Sequence, residues 1–261
     1  MRPIAELSAT EAARLRGVAF DLDDTLLDHG RLAEATYSAL FRLTEAGLEL
    51  YGVTGRPVGW AEVLARLFPV KAIVAENGAL VCARRGERIL VEDSVDAATR
   101  RERDERLTQL LHRFALSFPD LEPADDVRAR VSDRTFDIGE YRQVAPDRVA
   151  EASAFLREQG ARTFVSSVHL HATFDYADKA SGAVRLLAKD SGLDSTAVRH
   201  AYAYLGDSEN DASCFAAFAV SIGVANLRGK STLRPRYVTA RPMGSGVVEA
   251  SEVILSLRRK L

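Results

Sequence analysis

The sequence predicts an α/β protein: a doubly wound, mostly parallel sheet interrupted by an α+β insert. Three observations lead there. Short apolar runs alternate with helical patterns towards both ends of the chain, the rhythm of strand–helix–strand units. Several of those runs stop at a polar cluster, the most telling being Val-Ala-Phe-Asp-Leu-Asp-Asp-Thr over residues 18–25. The rhythm breaks over residues 89–174, where charge is dense, and returns after Asp178.

Taken in order, Gly17–Phe20 reads as the first core strand. Residues 31–46 carry an amphipathic pattern, with Leu32, Leu40 and Leu43 for the buried stripe and Gly47 suited to the C-cap. Residues 48–53 form a second strand, closed by Thr54-Gly55-Arg56-Pro57. A helix over 60–67 leads to a short strand, Ala72–Ala75, which runs into Glu76-Asn77-Gly78-Ala79. Within the insert, 94–118 is helical, 126–137 and 162–175 are strands, and 146–159 is a helix between them. The core pattern resumes with a helix at Lys179–Ser191 and a strand at 201–205, ending in Gly206-Asp207. A helix from Asp211, a strand over 219–222 and a helix from Ser245 complete it. The core is therefore discontinuous, residues 1–88 plus 175–261, with the insert at 89–174.

Bulk composition narrows the function classes. With 261 residues, 47% hydrophobic and 28% charged, the chain can bury a sizeable core. A net charge of −2 gives no attraction to nucleic acid or to a membrane surface. No window approaches a membrane-spanning length of apolar residues. The N-terminus carries Glu6 and Glu11 and lacks the apolar stretch of a secretory signal. Cys82 and Cys214 lie far apart in apolar surroundings and read as buried free thiols, which suits a cytoplasmic setting. Nothing in the pattern specifies an oligomeric state.

Four polar pieces fall where predicted core strands end, the edge at which open α/β sheets bind ligands. The first is Asp21 and Asp23, two residues apart. Two close acids repel unless one holds a proton or a hard cation such as Mg²⁺ sits between them. An acidic turn is the competing reading of this pair alone. The second is Thr54-Gly55, a hydroxyl and backbone N–H groups on a tight turn, able to hold phosphoryl oxygens or simply to start a helix. The third is Lys179 at a helix start, able to neutralise a phosphoryl charge, though lone lysines there are usually surface residues. The fourth is Gly206-Asp207-Ser208-Glu209-Asn210-Asp211, which brings another carboxylate to a strand end or merely caps the next helix.

In this order and strand context, Asp-x-Asp-x-Thr, strand-Thr-Gly-Arg, Lys and Gly-Asp-x-x-Asn-Asp resemble the four motifs of the haloacid dehalogenase (HAD) superfamily of phosphatases. An insert between the second and third motifs resembles a C2-type cap. The Glu76-Asn77-Gly78 turn resembles class IIB, the branch with Cof-type, sucrose-phosphate, trehalose-phosphate and mannosylphosphoglycerate phosphatases. The resemblance implies a Rossmann-like core with a C2B-type cap and a Mg²⁺-dependent phosphatase. Asp21 would be the nucleophile and Asp23 the general acid and base. Thr54, Gly55, Lys179 and Asn210 would bind the phosphoryl group. Asp21, Asp23 (through its backbone carbonyl) and Asp207 would hold Mg²⁺, with Ser208 and Asp211 supporting them. A phosphomutase of the same branch and a non-catalytic sugar-phosphate sensor are the alternatives, the latter favoured by loss of Asp21, Asp23 or Lys179, all of which are present.

The cap must supply specificity, because the core reads only phosphate. Residues 132–142 offer Arg134, Asp137, Glu140 and Arg142 for sugar hydroxyls or a second anion, unless they form surface ion pairs. Read as one strand, 163–175 puts Val165, Ser167, His169, His171 and Thr173 on one face and Phe164, Val168, Leu170, Ala172 and Phe174 on the other. The polar face would lie over the active site or face solvent. Ser167-Val-His169 also resembles a segment of sucrose-phosphate-phosphatase-like members. Arg56, Glu76 and Asn77 complete the expected rim. The expected partner is a hydroxyl-rich small phosphate ester: a sugar phosphate or phosphorylated glycoside.

Overall fold

The computed structural model describes residues 1–166, 168–227 and 231–259. An edge strand β1 (Arg2–Pro3) and a helix α1 (Ala9–Arg14), capped reciprocally by Ser8 and Glu11, precede the first core strand β2 (Gly17–Phe20). Then follow α2 (Glu34–Glu45), β3 (Glu49–Val53), α3 (Val58–Leu67), β4 (Ala72–Ala75), β5 (Leu80–Arg85) and β6 (Arg88–Asp93). The insert contributes α4 (Ala97–Ser117), β7 (Asp133–Asp137), α5 (Pro146–Glu158), β8 (Arg162–Val165) and β9 (His169–Thr173). The chain returns through α6 (Lys179–Ser191), α7 (Ser195–Ala201), β10 (Tyr202–Gly206), α8 (Ala212–Ala217), β11 (Val220–Gly223), β12 (Tyr237–Val238) and α9 (Met243–Arg258).

Among the described residues the large sheet runs β1-β12-β11-β10-β2-β3-β4-β5-β6, parallel except for β5 and β6. Alternate residues on each central strand serve opposite helical layers. Val18, Phe20, Leu50, Ile73 and Leu205 pack with α2, α3 and α9; Ala19, Tyr51, Val53, Val74 and Tyr204 pack with α6, α7 and α8. Buried on both sides, these strands read as continuous apolar runs. At β2 the connections diverge, β3 on one side and β10 on the other, so a crevice opens at the carboxyl ends of these three strands.

The insert builds its own antiparallel sheet, β7-β9-β8. Phe136, Leu170 and Ala172 on one face pack with Leu107, Leu110 and Phe114 of α4 and Ala152 and Leu156 of α5. The other face carries Asp133, Thr135, Asp137, His169, His171 and Thr173, cross-strand neighbours in register.

Several expectations need correction. Arg88–Asp93 is the edge strand of the large sheet, not the beginning of the insert. The expected strand over 126–137 starts as a 3₁₀ turn, Asp125–Ala129. The single strand over 162–175 is a hairpin, in which Phe164 sits opposite His171 and Val165 opposite Leu170. Val165 therefore shares the face of Leu170, not of His171, and Ser167 lies outside the described residues. The hairpin lacks Gly, Pro or Asn at its turn; Ser166 Oγ accepts from the backbone N–H groups of Val168 and His169 instead. Leu32, expected in a buried stripe, precedes α2 and is exposed.

Candidate active site

Asp21 follows β2 directly, and its backbone N–H donates to Leu205 O of β10 at 2.9 Å. That bond continues the ladder one residue past the strand and fixes the acid at the crevice. Lys179 opens α6, whose N-cap Asp178 accepts from Ser181 N. Its Nζ lies 2.8 Å from Asp21 Oδ1 and 2.8 Å from Asp211 Oδ1, and donates to Asn210 Oδ1 at 3.2 Å. Lys179 is 1% exposed and Asp21 4%, so neither is a surface residue.

Asp211 is fully committed. Besides Lys179 it accepts from Tyr204 OH and from the backbone N–H groups of Asp207 and Ser208. A side chain on Gly206 would bring Cβ within 2.5 Å of Asp211 Cγ, so only glycine leaves room for this turn. Asp207 is steadied by Thr25 Oγ1 on one oxygen and Asn226 Nδ2 on the other, each at 3.2 Å.

Carboxylate oxygens of Asp21, Asp207 and Asp211 lie within 4.8 Å of one another, all buried. Burial, and then repulsion from Asp211 and Asp207, raises Asp21 well above the usual carboxylate range against the pull of Lys179. Burial and Asp211 push Asp207 up to about 7. One lysine shared among three buried acids leaves negative charge uncompensated. With Asp211 spent on donors, Asp21 and Asp207 form an all-oxygen pair able to hold a hard cation.

The insert closes over this crevice through buried ion pairs. Arg56 grips Asp23 with Nε at 2.9 Å and Nη2 at 3.0 Å, and Nη2 also donates to Glu140 Oε1 at 3.1 Å. Its Nη1 lies 3.5 Å from Asp126 and its guanidinium stacks on Trp60. Glu140 Oε2 accepts from His169 Nε2 at 2.9 Å. Hydrogen bonding from His169 and the Arg56 charge hold Glu140 down at about 2, against burial. Deeper in, Arg130 joins Asp126 and Asp133 and donates to Gly55 O, while His171 Nδ1 donates to Asp133 Oδ2. Burial lowers the His171 pKa, so the neutral ring carries its proton on Nδ1 and leaves Nε2 as acceptor.

Glu76 and Asn77 end β4 in left-handed conformation, φ 49° and 52°. The Glu76 carboxylate accepts from Val58 N in the core and from Val131 N, Ser132 N and Ser132 Oγ in the insert. Those bonds hold the strained turn and seat the insert on it. Among the described residues, Asn77 Oδ1 is the buried side-chain polar atom without a partner, and it lies beside Gly55. Asp21, Asp23, Gly55, Arg56, His169, His171, Asp207, Ser208 and Asn210 help enclose about 20 Å³ of free space.

The family model for haloacid dehalogenase-like hydrolases matches residues 18–117. The phosphoglycolate phosphatase of Methanothermobacter thermautotrophicus is 28% identical over 240 residues, covering 90% of this chain and 97% of that protein. The crystal structure of Thermoplasma acidophilum 0175 superposes with a TM-score of 0.73 at 17% identity, over 93% of this chain and 99% of that one. The HAD subclass IIB sugar phosphatase BT4131 gives 0.63 at 14% identity, over 94% and 98%. Residues 18–117 are thus similar to the haloacid dehalogenase-like hydrolases, and the chain is a phosphatase. The structural likenesses speak to the fold.

In this HAD-like phosphatase the core positions from the sequence converge: Asp21, Lys179, Asp207, Ser208, Asn210 and Asp211 meet at one crevice. Thr54 is fully buried beside it, its Oγ1 accepting from Arg56 N at 3.0 Å. The cap positions divide. His169 and His171 face the crevice. Arg134, one residue out of phase, turns to the helical side and pairs with Asp104 of α4. Arg142 pairs with Glu122 at the surface. Asp137 accepts from the N–H groups of Gly139, Glu140 and Tyr141, so it shapes the loop that presents Glu140. Sequence reasoning overlooked Asn226, Asp126, Arg130 and Asp133. Asn226 follows β11, the same strand-end signal that singled out Asp21 and Asp207.

Proposed function

We propose that this phosphatase is a Mg²⁺-dependent phosphomonoesterase acting through an aspartyl-phosphate on Asp21. The observation that carries the reading is the buried Asp21–Lys179 pair at 2.8 Å, beside an Asp207 that shares its uncompensated charge. Mg²⁺ would be held by the Asp21 carboxylate, the Asp23 backbone carbonyl and Asp207, and when bound it neutralises charge at the phosphoryl group. An Asp21 oxygen attacks phosphorus as the ester P–O bond breaks, and Asp23 gives its proton to the departing alkoxide. Asp23 then takes a proton from water as the water oxygen attacks the same phosphorus, freeing Asp21 and releasing inorganic phosphate. Thr54, Gly55, Lys179 and Asn210 hold the phosphoryl oxygens; Ser208 and Asp211 support them. Phosphoryl transfer asks mainly for such positioning and charge neutralisation.

The catalytic groups sit in the core segments, and the insert serves as the cap that selects the leaving group. His171 Nε2 and the unpartnered Asn77 Oδ1 are acceptors and suit hydroxyl groups. A hydroxyl-bearing phosphate ester such as a sugar phosphate is the substrate class that fits, and the phosphoglycolate phosphatase named above makes a phosphorylated hydroxy acid the second candidate. The free, buried thiols of Cys82 and Cys214 accord with action in a reducing cytoplasm. Phosphate release from a panel of sugar phosphates, phosphoglycolate, phosphorylated glycosides and nucleotides, with Mg²⁺ and with EDTA, tests the reading. One strongly preferred ester, silent in EDTA, is the expected result; activity indifferent to chelation would overturn it.

A further inference from the structure

We propose that Glu140 of the cap is a positioning residue for acid–base catalysis, acting on Asp23 through Arg56. The inference rests on the reading of Asp23 as general acid and base. Asp23 comes from the core and Glu140 from the cap, yet one nitrogen, Arg56 Nη2, bonds both: Asp23 Oδ1 at 3.0 Å and Glu140 Oε1 at 3.1 Å. The second Glu140 oxygen is held by His169 Nε2 at 2.9 Å, and His169 is 2% exposed on the cap sheet. Backbone N–H bonds from 139–141 to Asp137 fix the loop that carries Glu140.

Three of the five N–H groups of the Arg56 guanidinium are spent on Asp23 and Glu140. It has its Nε and Nη2 on Asp23, Nη1 near Asp126 and its face on Trp60. With Nε and Nη2 committed to Asp23, its role is to aim the Asp23 carboxyl. A bidentate grip sets the carboxyl plane as well as its distance. Three acids compete for Arg56, and two of them, Asp126 and Glu140, belong to the cap. Seating the cap completes the cage that holds Arg56 in that grip; without Glu140 the guanidinium has a vacant side and the Asp23 plane is less defined. His169 keeps Glu140 extended toward Arg56 instead of toward solvent. The cap thus contributes to the chemistry as well as to selection.

The test is pre-steady-state kinetics on p-nitrophenyl phosphate with Mg²⁺, comparing Glu140→Ala, Glu140→Gln and Asp23→Asn with the parent. Nitrophenolate leaves without a proton, so phosphorylation of Asp21 needs no acid, whereas hydrolysis of the phosphoenzyme needs the base. Asp23→Asn is expected to give a burst followed by a slow steady rate. Glu140→Ala should reproduce that pattern in weaker form, the steady rate falling about tenfold, a fraction of what a general base supplies. Glu140→Gln, which keeps an oxygen for Arg56, should lie between it and the parent. If Asp23→Asn shows a burst and Glu140→Ala does not, or loses both phases equally, the positioning role is overturned while the Asp23 assignment stands. Absence of a burst in Asp23→Asn overturns the acid–base assignment and, with it, this inference.

Discussion

Arg56 holds Asp23 by two parallel bonds, Nε at 2.9 Å and Nη2 at 3.0 Å, from a position that is itself only 4% exposed. A lysine at 56 would keep the charge but lose the fork. Arg56→Lys is expected to lower kcat on an alkyl phosphate roughly tenfold to a hundredfold, with KM little changed, because aim and not substrate affinity is lost. Steady-state kinetics on phosphoglycolate or a sugar phosphate checks this; a rise in KM at constant kcat would mean that Arg56 binds substrate instead.

Apo stability should fall as pH rises from about 4 to about 7. Asp21 and Asp207 have folded pKa values above their unfolded ones, Asp207 at about 7, so the folded state keeps protons that the unfolded chain has lost in that window. A divalent cation competes with those protons. The gain in Tm on adding Mg²⁺ should therefore be small near pH 5 and larger near pH 8, at roughly 2–4 °C per kcal/mol. Asp207→Asn should raise the Tm in EDTA and abolish the Mg²⁺ gain. An equal gain at both pH values would contradict the assignment of the acid pair.

Glu76 bonds core and cap with one buried carboxylate. Glu76→Ala strands the N–H groups of Val58, Val131 and Ser132, and it should destabilise the protein by roughly 2–4 kcal/mol, since each orphaned buried donor costs about 1–3. Proteolysis should quicken at the two segments joining cap to core. A variant with unchanged denaturant midpoint and unchanged cleavage would show that Glu76 does not seat the cap.

Arg134→Ala and Arg142→Ala should leave kcat/KM within about twofold and stability within roughly 1 kcal/mol, because both arginines form partly exposed ion pairs and neither lines the crevice. Substrate profiling of both variants is the check; a changed preference would bring those side chains back into the site.

The core was legible because its chemistry follows strand ends. Asp21, Thr54 and Asp207 each end an apolar run, and parallel strands deliver all such ends to one edge. The cap was harder to read for two physical reasons. Its hairpin turns on Ser166, which carries no sequence signal as strong as glycine or proline, and missing that turn inverted the parity of Val165. Its functional groups, moreover, act in ion-pair chains. Arg134 and Glu140 look equally suited to substrate in the sequence, and only the register of β7 against β9 separates the residue facing α4 from the loop that reaches Arg56. Arg130, Asp126 and Asp133 form a closed network whose members are individually ordinary.

The central claim is that Asp21 carries the phosphoryl group. Asp23→Asn should trap it, because the phosphoenzyme forms from an aryl phosphate but lacks the base for hydrolysis. Rapid acid quench during turnover with Mg²⁺, followed by peptide mass mapping, should find one phosphoryl group on Asp21 and none in the Asp21→Asn control. A nitrophenolate burst with an unmodified Asp21, or a phosphoryl group on another side chain, would contradict the account.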